Sequence, residues 1–400
     1  MKHTCRCCLA IAAVVTALLC ERQAWAEPKP MENDLESFLG EARFDTERLQ
    51  KGGRFPNVAV ALDGAVLAAW NGVTVRRSED GGQTWGPNIL IGKGFMGGGL
   101  TVNETNGDIF AFVEESHPPA PLTVYRSQDH GKTWMAVDVQ IKPDSSGNVP
   151  SMHMNEHGVT LRHGKHAGRI IRPTRYYAGR NASSLWPKHY TNAIYSDDNG
   201  ETWQTSEPFP EFGTGEATLA ELSDGRIYYN TRRHWAPEGK NPRRRWTAIS
   251  EDGGATWKDS SICEVLPDGP QDRDYGCMAG LVRLPVKGKD ILLYSNCDSP
   301  GGRKLGTVWA SFDGGKIRPL MGIVFMVIQL FSAVVVADIP PALGANGVVP
   351  LPVIHKRGPA DRLLRIPDLD SDADSVVGGV GGQAAQLDQG RVDDGRIHGR

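Results

Sequence analysis

Cysteine is scarce in this sequence of 400 residues, and most of it lies near the amino terminus. Four of the seven cysteines precede residue 21, which leaves Cys263, Cys277 and Cys297 for the rest of the chain. Three cysteines cannot all pair within one chain, so a disulfide scaffold is excluded. Net charge is also small, at a formal −3. No basic excess directs the chain to nucleic acid or to an anionic membrane surface.

Long apolar runs are few, and the first of them is at the amino terminus. Lys2 and Arg6 precede the apolar run Cys8–Leu19, and Ala24-Trp25-Ala26 follows it. A basic start, a short apolar run and an Ala-x-Ala site are typical of an export signal. The sequence therefore predicts a cleaved signal peptide over residues 1–26 and a secreted or periplasmic protein. A lead-in over 27–52 follows it.

Glycine and tryptophan are abundant, with 47 Gly and 10 Trp, and both recur in one repeated pattern. The pattern is Ser-x-Asp-x-Gly-x-Thr-Trp, and its complete copies are Ser78–Trp85, Ser127–Trp134, Ser196–Trp203 and Ser250–Trp257. A fifth copy begins at Ser311 and breaks after Lys316. Successive Asp residues of the pattern lie 49 to 69 residues apart. A period of this size indicates repeated supersecondary units.

Each copy of the pattern predicts a β-hairpin turn with a structural role. Asp in a tight turn accepts hydrogen bonds from backbone N–H groups two or three residues further on. Gly supplies the positive φ of the turn, and the Trp ring is expected to fill the gap between neighbouring sheets. A calcium loop is disfavoured at Asp197–Gly200, because no bidentate Glu follows at the spacing of an EF-hand.

The repeated pattern is the Asp box, and with it the chain resembles the exo-α-sialidase (neuraminidase) family of BNR-repeat proteins. The resemblance implies an all-β fold, a six-bladed β-propeller of the sialidase type, with a pocket where the innermost strands begin. Five apolar runs that end in turn dipeptides predict innermost strands, which start near Arg54, Gly99, Gly158, Glu216 and Met278.

The resemblance places three arginines in the pocket. Gly53-Arg54-Phe55-Pro56 is similar to the family's Arg-Ile-Pro segment, Arg232 ends the strand pair that starts at Glu216, and Arg303 lies eight residues before Ser311. A guanidinium group suits a carboxylate because it donates two parallel hydrogen bonds. Arg54, Arg232 and Arg303 are therefore expected to bind the carboxylate of sialic acid.

The resemblance also assigns the catalytic carboxylate to Glu216, which precedes Arg232 by sixteen residues. Sialidases attack with a tyrosine, and a neighbouring Glu takes the proton of that tyrosine. The implied reaction is the release of terminal sialic acids from glycoconjugates with retention of configuration. The implied partners are sialylated or other anionic glycans, with no nucleic acid, no cofactor and no metal.

Two parts of the family's catalytic apparatus are missing. The acid/base Asp is expected between Arg54 and the first box, but Ala68–Val75 contains no carboxylate. The substitutes that remain open are Glu114, Glu115, His117 and Glu156. The tyrosine nucleophile is expected after the fifth box, and no Tyr follows Tyr294.

A second cluster of polar residues lies ahead of the predicted strand at Gly158. His153-Met-Asn-Glu156-His157 fits a zinc pattern that requires a helix, whereas the segment leads into a strand. We therefore expect His153, Glu156 and His157 at the pocket rim rather than on a metal. Tyr275 precedes another innermost strand and is a further candidate for the rim, although it falls in the wrong blade for the nucleophile.

The composition changes after Lys316, which ends the predicted propeller domain 53–316. Residues 317–400 contain no Trp, Tyr or Cys and one Lys, and 320–337 is apolar apart from Gln329. Three interpretations remain: a reading-frame shift, a membrane anchor over 320–337, and a divergent sixth blade. Association with a membrane is expected only if the anchor is genuine. The last blade is thus predicted to be missing or replaced by an aberrant segment.

The sequence leaves three candidate functions open. The first is a sialidase-like glycoside hydrolase, whose activity in this chain is limited by the missing Tyr and Asp. The second is a carbohydrate-binding propeller without catalysis. The third is a hydrolase of another anionic sugar.

Overall fold

The computed structural model describes residues 49–51, 54–94, 96–153, 156–180, 182–268, 278–284, 289–298, 306–315 and 320–323. The predicted signal peptide, Tyr275, Arg303 and nearly all of 317–400 lie outside the described residues. No helix in the described part of the chain is both long enough and apolar enough to span a membrane.

The described residues form five sheets that follow one another along the chain. The first sheet contains β1 (Asn57–Val60), β2 (Val66–Trp70), β3 (Thr74–Ser78) and β4 (Ile89–Leu90). The second contains β5 (Met96–Gly97), β6 (Thr101–Val102), β7 (Ile109–Glu114), β8 (Leu122–Ser127) and β9 (Met135–Val137). The third contains β10 (Gln140–Ile141), β11 (Val159–Thr160), β12 (Ile170–Tyr176), β13 (Tyr190–Ser196) and β14 (Thr202–Thr205).

The last two sheets have four strands each. The fourth sheet contains β15 (Thr214–Glu221), β16 (Ile227–Arg233), β17 (Arg244–Ser250) and β18 (Lys258–Pro267). The fifth contains β19 (Gly280–Leu284), β20 (Ile291–Cys297), β21 (Gly306–Ser311) and β22 (Leu320–Ile323). Two short 3-10 helices interrupt the third sheet, at Gly164–His166 and Ser183–Lys188. β22 comes from the start of the apolar run 320–337.

The sheets are the blades of a β-propeller, because the innermost strands contact the inner strands of the neighbouring sheets. β6 contacts both β1 and β11, and β15 contacts both β12 and β19. Each blade is an antiparallel meander in which the strand order follows the sequence, apart from the parallel addition of β10 to β14. The prediction of an all-β propeller is confirmed, as are the five innermost strands β1, β6, β11, β15 and β19. Five blades are described, and the sixth stays a prediction.

The core lies between adjacent blades, since each strand sends alternate side chains to its two neighbours. In β7, Ile109 packs with Leu67 of the first blade. The next residue, Phe110, packs instead with Ile170 and Trp203 of the third blade. Similar apolar clusters join the third blade to the fourth and the fourth to the fifth. The blades are therefore held together by side chains that the period-2 pattern of each strand presents.

The Asp boxes form the turns that follow the third strand of each blade. In the four complete boxes the Asp accepts a hydrogen bond from the backbone N–H of the box Thr at 2.8–2.9 Å. The Ser hydroxyl of each box donates to the same Asp. The backbone donors to Asp80 are the N–H groups of Gln83 and Thr84, three and four residues on. The first agrees with the expected offset of two or three residues, and the second lies one residue further on. Both residues that follow Asp80, Gly81 and Gly82, have positive φ.

The third box shows why its Gly and Trp are needed. Gly200 has φ +87°, and a Cβ there would lie 2.4 Å from the ring of Phe110 in the preceding blade. Trp203 is fully buried, and its ring centroid lies 5.3 Å from that of Phe112, also in the preceding blade. The prediction that the box Trp fills the gap between sheets is confirmed here. The fifth box keeps its Ser311–Asp313 hydrogen bond of 2.7 Å.

Candidate functional site

The candidate site lies on the face of the propeller opposite the Asp boxes. The innermost strand of a blade starts on this face, and the second strand returns to it. Glu216 is near the start of β15, and Arg232 is near the end of β16, where Thr214 pairs with Arg233. Hairpin register thus places two residues sixteen positions apart next to each other.

Glu216 and Arg232 form a buried ion pair. Glu216 Oε2 accepts a hydrogen bond from Arg232 Nη1, and the two side chains are 2% and 1% exposed. Arg245 from β17 donates its Nη2 to the carbonyl oxygen of Glu216 at 3.2 Å and its Nε to Asn230 Oδ1 at 2.8 Å. The pair is therefore held from a third strand, and its geometry depends on the whole fourth blade.

Asp268, at the end of β18, is a second carboxylate beside this pair. Its Oδ1 lies 3.5 Å from Arg245 Nη1 and 3.9 Å from Arg232 Nε. Burial raises the pKa of Asp268 to about 7, against the charges of Arg245 and Arg232, which lower it. Sequence analysis missed Asp268, which precedes a glycine in the sequence and resembles an ordinary turn residue.

Arg54 enters the site from the loop that precedes β1. Its backbone N–H donates to Asn71 Oδ1 at 2.7 Å, and its Cζ lies 4.6 Å from the centroid of the Phe55 ring. The guanidinium is exposed, unlike that of Arg232. Asn71 stands in the β2–β3 connection, where the family's acid Asp was expected. In this chain that connection anchors Arg54 through an amide.

The predicted rim residues ahead of β11 differ in depth. His153 and Glu156 are buried, at 2% and 1% exposed, while His157 is half-buried. Glu156 accepts hydrogen bonds from Asn57 Nδ2 and from the backbone N–H of His157. The ring centroid of His153 lies 5.3 Å from that of Phe55, which connects it to the Arg54 segment.

Glu114 is one of the open substitutes for the acid, and its side chain is buried. It ends β7, is 1% exposed, and accepts hydrogen bonds from Ser151 Oγ and from the backbone N–H of Met152. Burial raises the pKa of Glu114 to about 7. Arg172 lies close enough to Glu114 and Glu156 for both charges to act on it, and burial lowers the pKa of Arg172 to about 10.

A cluster of tyrosine and histidine rings packs together beside these charged residues. Tyr177 lies between His117 and His189, with ring centroids 5.2 Å and 4.9 Å away. His153 packs on His117 at 4.8 Å. Burial lowers the pKa of all three histidines, and that of His189 falls to about 3. These imidazoles are therefore neutral near pH 7.

The charges on the pocket face act on this same ring cluster. Arg54 and Arg175 both depress the pKa of His153, after burial and His117. Burial raises the pKa of Tyr177, on which the charges of Arg175, Glu216, Glu114 and Arg232 also act. Arg54, Arg175 and Arg232 thus lie around one cluster. Arg303 and Tyr275 lie outside the described residues, so their convergence on the cluster stays a prediction.

Arg175 is another site residue that the sequence analysis missed. It lies near the end of β12 and is 2% exposed. A signal was present, because Arg172 and Arg175 interrupt an otherwise apolar strand, and arginine is seldom fully buried without a specific reason. No group of His, Cys, Asp or Glu in the described part of the chain is arranged to hold a metal ion.

Comparison with known proteins agrees with this architecture. The profile of the BNR repeat-like domain matches residues 69–317. A sialidase of Micromonospora viridifaciens is 30% identical over 310 residues, which cover 67% of this chain and 45% of the relative. A sialidase of Bacteroides fragilis (strain YCH46) is 27% identical over 281 residues, covering 61% of this chain and 47% of the relative. The chain spans about half the length of these two relatives.

Among solved structures, a leech intramolecular trans-sialidase complexed with 2,7-anhydro-Neu5Ac shares the fold. Its TM-score is 0.50 at 14% identity, and the match covers 68% of this chain and 60% of the leech chain. The fold is that of a β-propeller of the sialidase type. The chain belongs to the BNR repeat-like domain family, and the curated relatives described above are sialidases.

Proposed function

We propose that this pocket recognises terminal α-linked sialic acids of glycoconjugates as the substrate site of a sialidase-like glycoside hydrolase. The observation that carries the proposal is the buried Glu216–Arg232 pair, with Arg54 and Arg175 near the same ring cluster. Three permanent cations near one ring cluster suit an anionic sugar, because guanidinium groups stay charged when buried. Sialidase relatives support the same substrate class.

The proposed roles follow from this arrangement. Arg54, Arg232 and Arg303 bind the carboxylate of the substrate, and His153, Glu156, His157 and Tyr275 contact the sugar from the rim. Glu216 accepts the proton of a tyrosine nucleophile. No Tyr follows Tyr294, so the 400-residue chain is expected to bind sialosides and to hydrolyse them slowly or not at all.

A sialoside-binding propeller without catalysis is the second candidate. The observation in its favour is the β2–β3 connection, where Asn71 holds Arg54 and no carboxylate is present between Ala68 and Val75. General acid catalysis at the leaving group needs a titratable donor. An amide at this place supports binding but no proton transfer.

Glycan-array binding and turnover of an aryl α-sialoside test both candidates together. We expect the 400-residue chain to bind sialylated glycans, and a version translated in the corrected frame after Lys316 to gain turnover by on the order of 10³-fold or more, since nucleophile loss removes most of the rate. Arg226→Lys, at the opposite end of the β15–β16 hairpin, is the control for the pocket variant Arg232→Lys. Binding confined to uronic or sulfated glycans would replace sialic acid with another anionic sugar.

We also propose that the chain is exported and that residues 1–26 are removed. Mass spectrometry of the secreted protein is expected to give a start at Glu27. Retention of Met1 in that material contradicts export by a cleaved signal.

A further inference from the structure

Arg175 is a buried guanidinium group whose contacts are neutral. Its Nη1 donates to the hydroxyl of Tyr177 at 3.0 Å, and its Nη2 lies 3.2 Å from His189 Nδ1. The Cζ atom lies 4.3 Å from the centroid of the Tyr177 ring. Its Nε is buried without a hydrogen-bond partner among the described residues. These contacts hold the group in place but do not balance its charge.

Most of the other buried arginines of the described chain form ion pairs with a carboxylate, which are Arg77–Asp63, Arg169–Asp197, Arg232–Glu216 and Arg245–Asp268. Arg172 forms no ion pair within the described residues, but the charges of Glu114 and Glu156 act to raise its pKa. Arg175 likewise has no carboxylate oxygen within ion-pair distance in the described part of the chain, and its hydrogen-bond partners are the neutral side chains of Tyr177 and His189. A bound anion is therefore the partner that this group lacks.

An uncompensated buried cation lowers the stability of the folded state, and a guanidinium group cannot remove the problem by losing its proton. Such a group is retained where a bound anion completes the site, because the anion then gains a desolvated, preorganised partner. Arg175 is desolvated because it is buried, and it is preorganised because Tyr177 and His189 fix its orientation.

Gly215 leaves one side of this guanidinium without a covering side chain. A Cβ at residue 215 would lie 3.5 Å from both Cζ and Nη1 of Arg175. Glu216 follows directly in β15, and its charge reaches Tyr177 as that of Arg175 does. The backbone of Gly215 therefore packs on the guanidinium group of Arg175, directly beside the Glu216–Arg232 pair.

We infer that Arg175 binds an acidic group of the ligand and sets the preference of the pocket for an acidic sugar over its neutral counterpart. The inference rests on the proposed function for the choice of probe. Arg175 is a ligand-binding residue in this scheme, in addition to the three arginines that the sequence suggested.

Calorimetric binding of two matched sugars tests the role of Arg175. The probes are the methyl α-glycoside of N-acetylneuraminic acid and the neutral methyl ester of the same glycoside. Arg175→Met is expected to weaken binding of the acid at least tenfold and to change binding of the ester less than twofold. Arg175→Lys keeps the charge and is expected to fall between the wild type and Arg175→Met.

Arg169→Met is the matched control. Arg169 precedes the same strand β12 and is about 20 Å from Arg175 along it, so its loss is expected to leave both affinities unchanged. Equal weakening of acid and ester in Arg175→Met overturns the inference, because it indicates a steric role. Unchanged affinity for the acid overturns it as well.

If the wild type binds neither sugar, the proposed function is contradicted. The role of Arg175 is then tested by melting temperatures measured without a ligand. Because Arg175 has no carboxylate partner, Arg175→Met is expected to melt at the same temperature as the wild type or higher. Arg169→Met loses its partner contact with Asp197 and is expected to melt lower. A decrease for Arg175→Met as large as that for Arg169→Met overturns the inference independently of the ligand.

Discussion

The Asp boxes and the candidate site hold their carboxylates in opposite ways. In the first box, Asp80 accepts hydrogen bonds from its own turn, and the hydroxyl and amide of Thr84 with the hydroxyl of Ser78 lower its pKa to about 2. In the candidate site, burial raises the pKa of Glu114 and of Asp268 to about 7. The same functional group is stabilised as an anion in the box and disfavoured as an anion in the site.

This contrast separates the part of the fold that contributes stability from the part that contributes ligand binding. A box is complete within eight residues, so its hydrogen bonds form whenever the hairpin forms. The pocket collects charges from several blades and removes them from water, which costs stability but strengthens every electrostatic contact with a ligand. Changes on the box face are therefore expected to alter folding, and changes on the pocket face to alter binding as well.

The largest effect is expected from Arg232→Met, which leaves the carboxylate of Glu216 buried without this partner. Breaking a buried pair on one side costs about 3–5 kcal/mol of stability, and sialoside affinity is expected to fall by about 100-fold or more. Urea unfolding and calorimetry measure the two effects.

The double variant Glu216→Leu with Arg232→Met separates the effect on stability from the effect on sialoside affinity. It removes both charges, so stability is expected to recover while binding stays lost. Recovery of binding together with stability contradicts a direct role of the pair at the ligand.

Trp203→Ala tests the box face with a comparable cost in stability and none in binding. Removing a fully buried aromatic side chain costs about 3–5 kcal/mol. Urea unfolding measures this cost, and sialoside affinity measured on the folded fraction is expected to stay within twofold of the wild type.

Trp85→Ala is the control for this variant, because Trp85 is half-buried and belongs to no core cluster among the described residues. Its cost is expected to be about 1–2 kcal/mol. A Trp203 variant that keeps its stability but loses its ligand shows that the box belongs to the binding site.

Asp198→Ala removes the acceptor of a complete box and is expected to cost about 2–3 kcal/mol. Its carboxylate accepts hydrogen bonds from the Thr202 amide at 2.9 Å and the Thr202 hydroxyl at 2.6 Å, and bonds to a charged group contribute more than neutral ones. Asp313→Ala is the comparison, since Ile317 replaces the box Thr and offers no hydroxyl. Thermal unfolding is expected to rank Asp198→Ala as the more damaging, and the reverse order contradicts the role assigned to Thr.

The smallest effect is a dependence of stability on pH that Glu114→Gln removes. The folded pKa of Glu114 is raised to about 7, so its contribution to stability is complete below its ordinary pKa and is lost as the pH rises towards 7. The advantage of Glu114→Gln over the wild type is expected to grow by about 1–2 kcal/mol between pH 5 and pH 7.5. Melting temperatures at the two pH values measure it.

Asp80→Asn on the box face is the control with the opposite sign. The pKa of Asp80 is lowered, so its contribution is present above the ordinary pKa of Asp and is lost only as the pH falls below it. The difference between this variant and the wild type is therefore expected to stay constant from pH 5 to pH 7.5. A constant difference for Glu114→Gln as well contradicts burial as the cause of its shift.

The sequence was sufficient for everything that repeats or that lies at a short, fixed offset. The boxes predicted the hairpins, the apolar runs that end in turn dipeptides predicted the innermost strands, and the resemblance to the sialidases selected Glu216 and Arg232. The hairpins and strands follow from local geometry, because a β-hairpin with a known turn fixes which residues face each other. The expected offset of the Asp80 hydrogen bonds was right for Gln83 and one residue short for Thr84.

Repeats in the sequence were enough to predict the propeller and its period, and the resemblance to the sialidases was enough to select Glu216 and Arg232. Which other charges join these two residues depends on how the blades pack together. Arg175, Asp268 and Tyr177 come from second and fourth strands or the loops beside them, and nothing in their local sequence records that the blades converge there. Burial gives these residues their chemistry, since it neutralises the histidines, raises the pKa of the carboxyls and leaves Arg175 without a counter-charge. The burial of a side chain depends on how the blades pack together, so the sequence of one strand does not predict it.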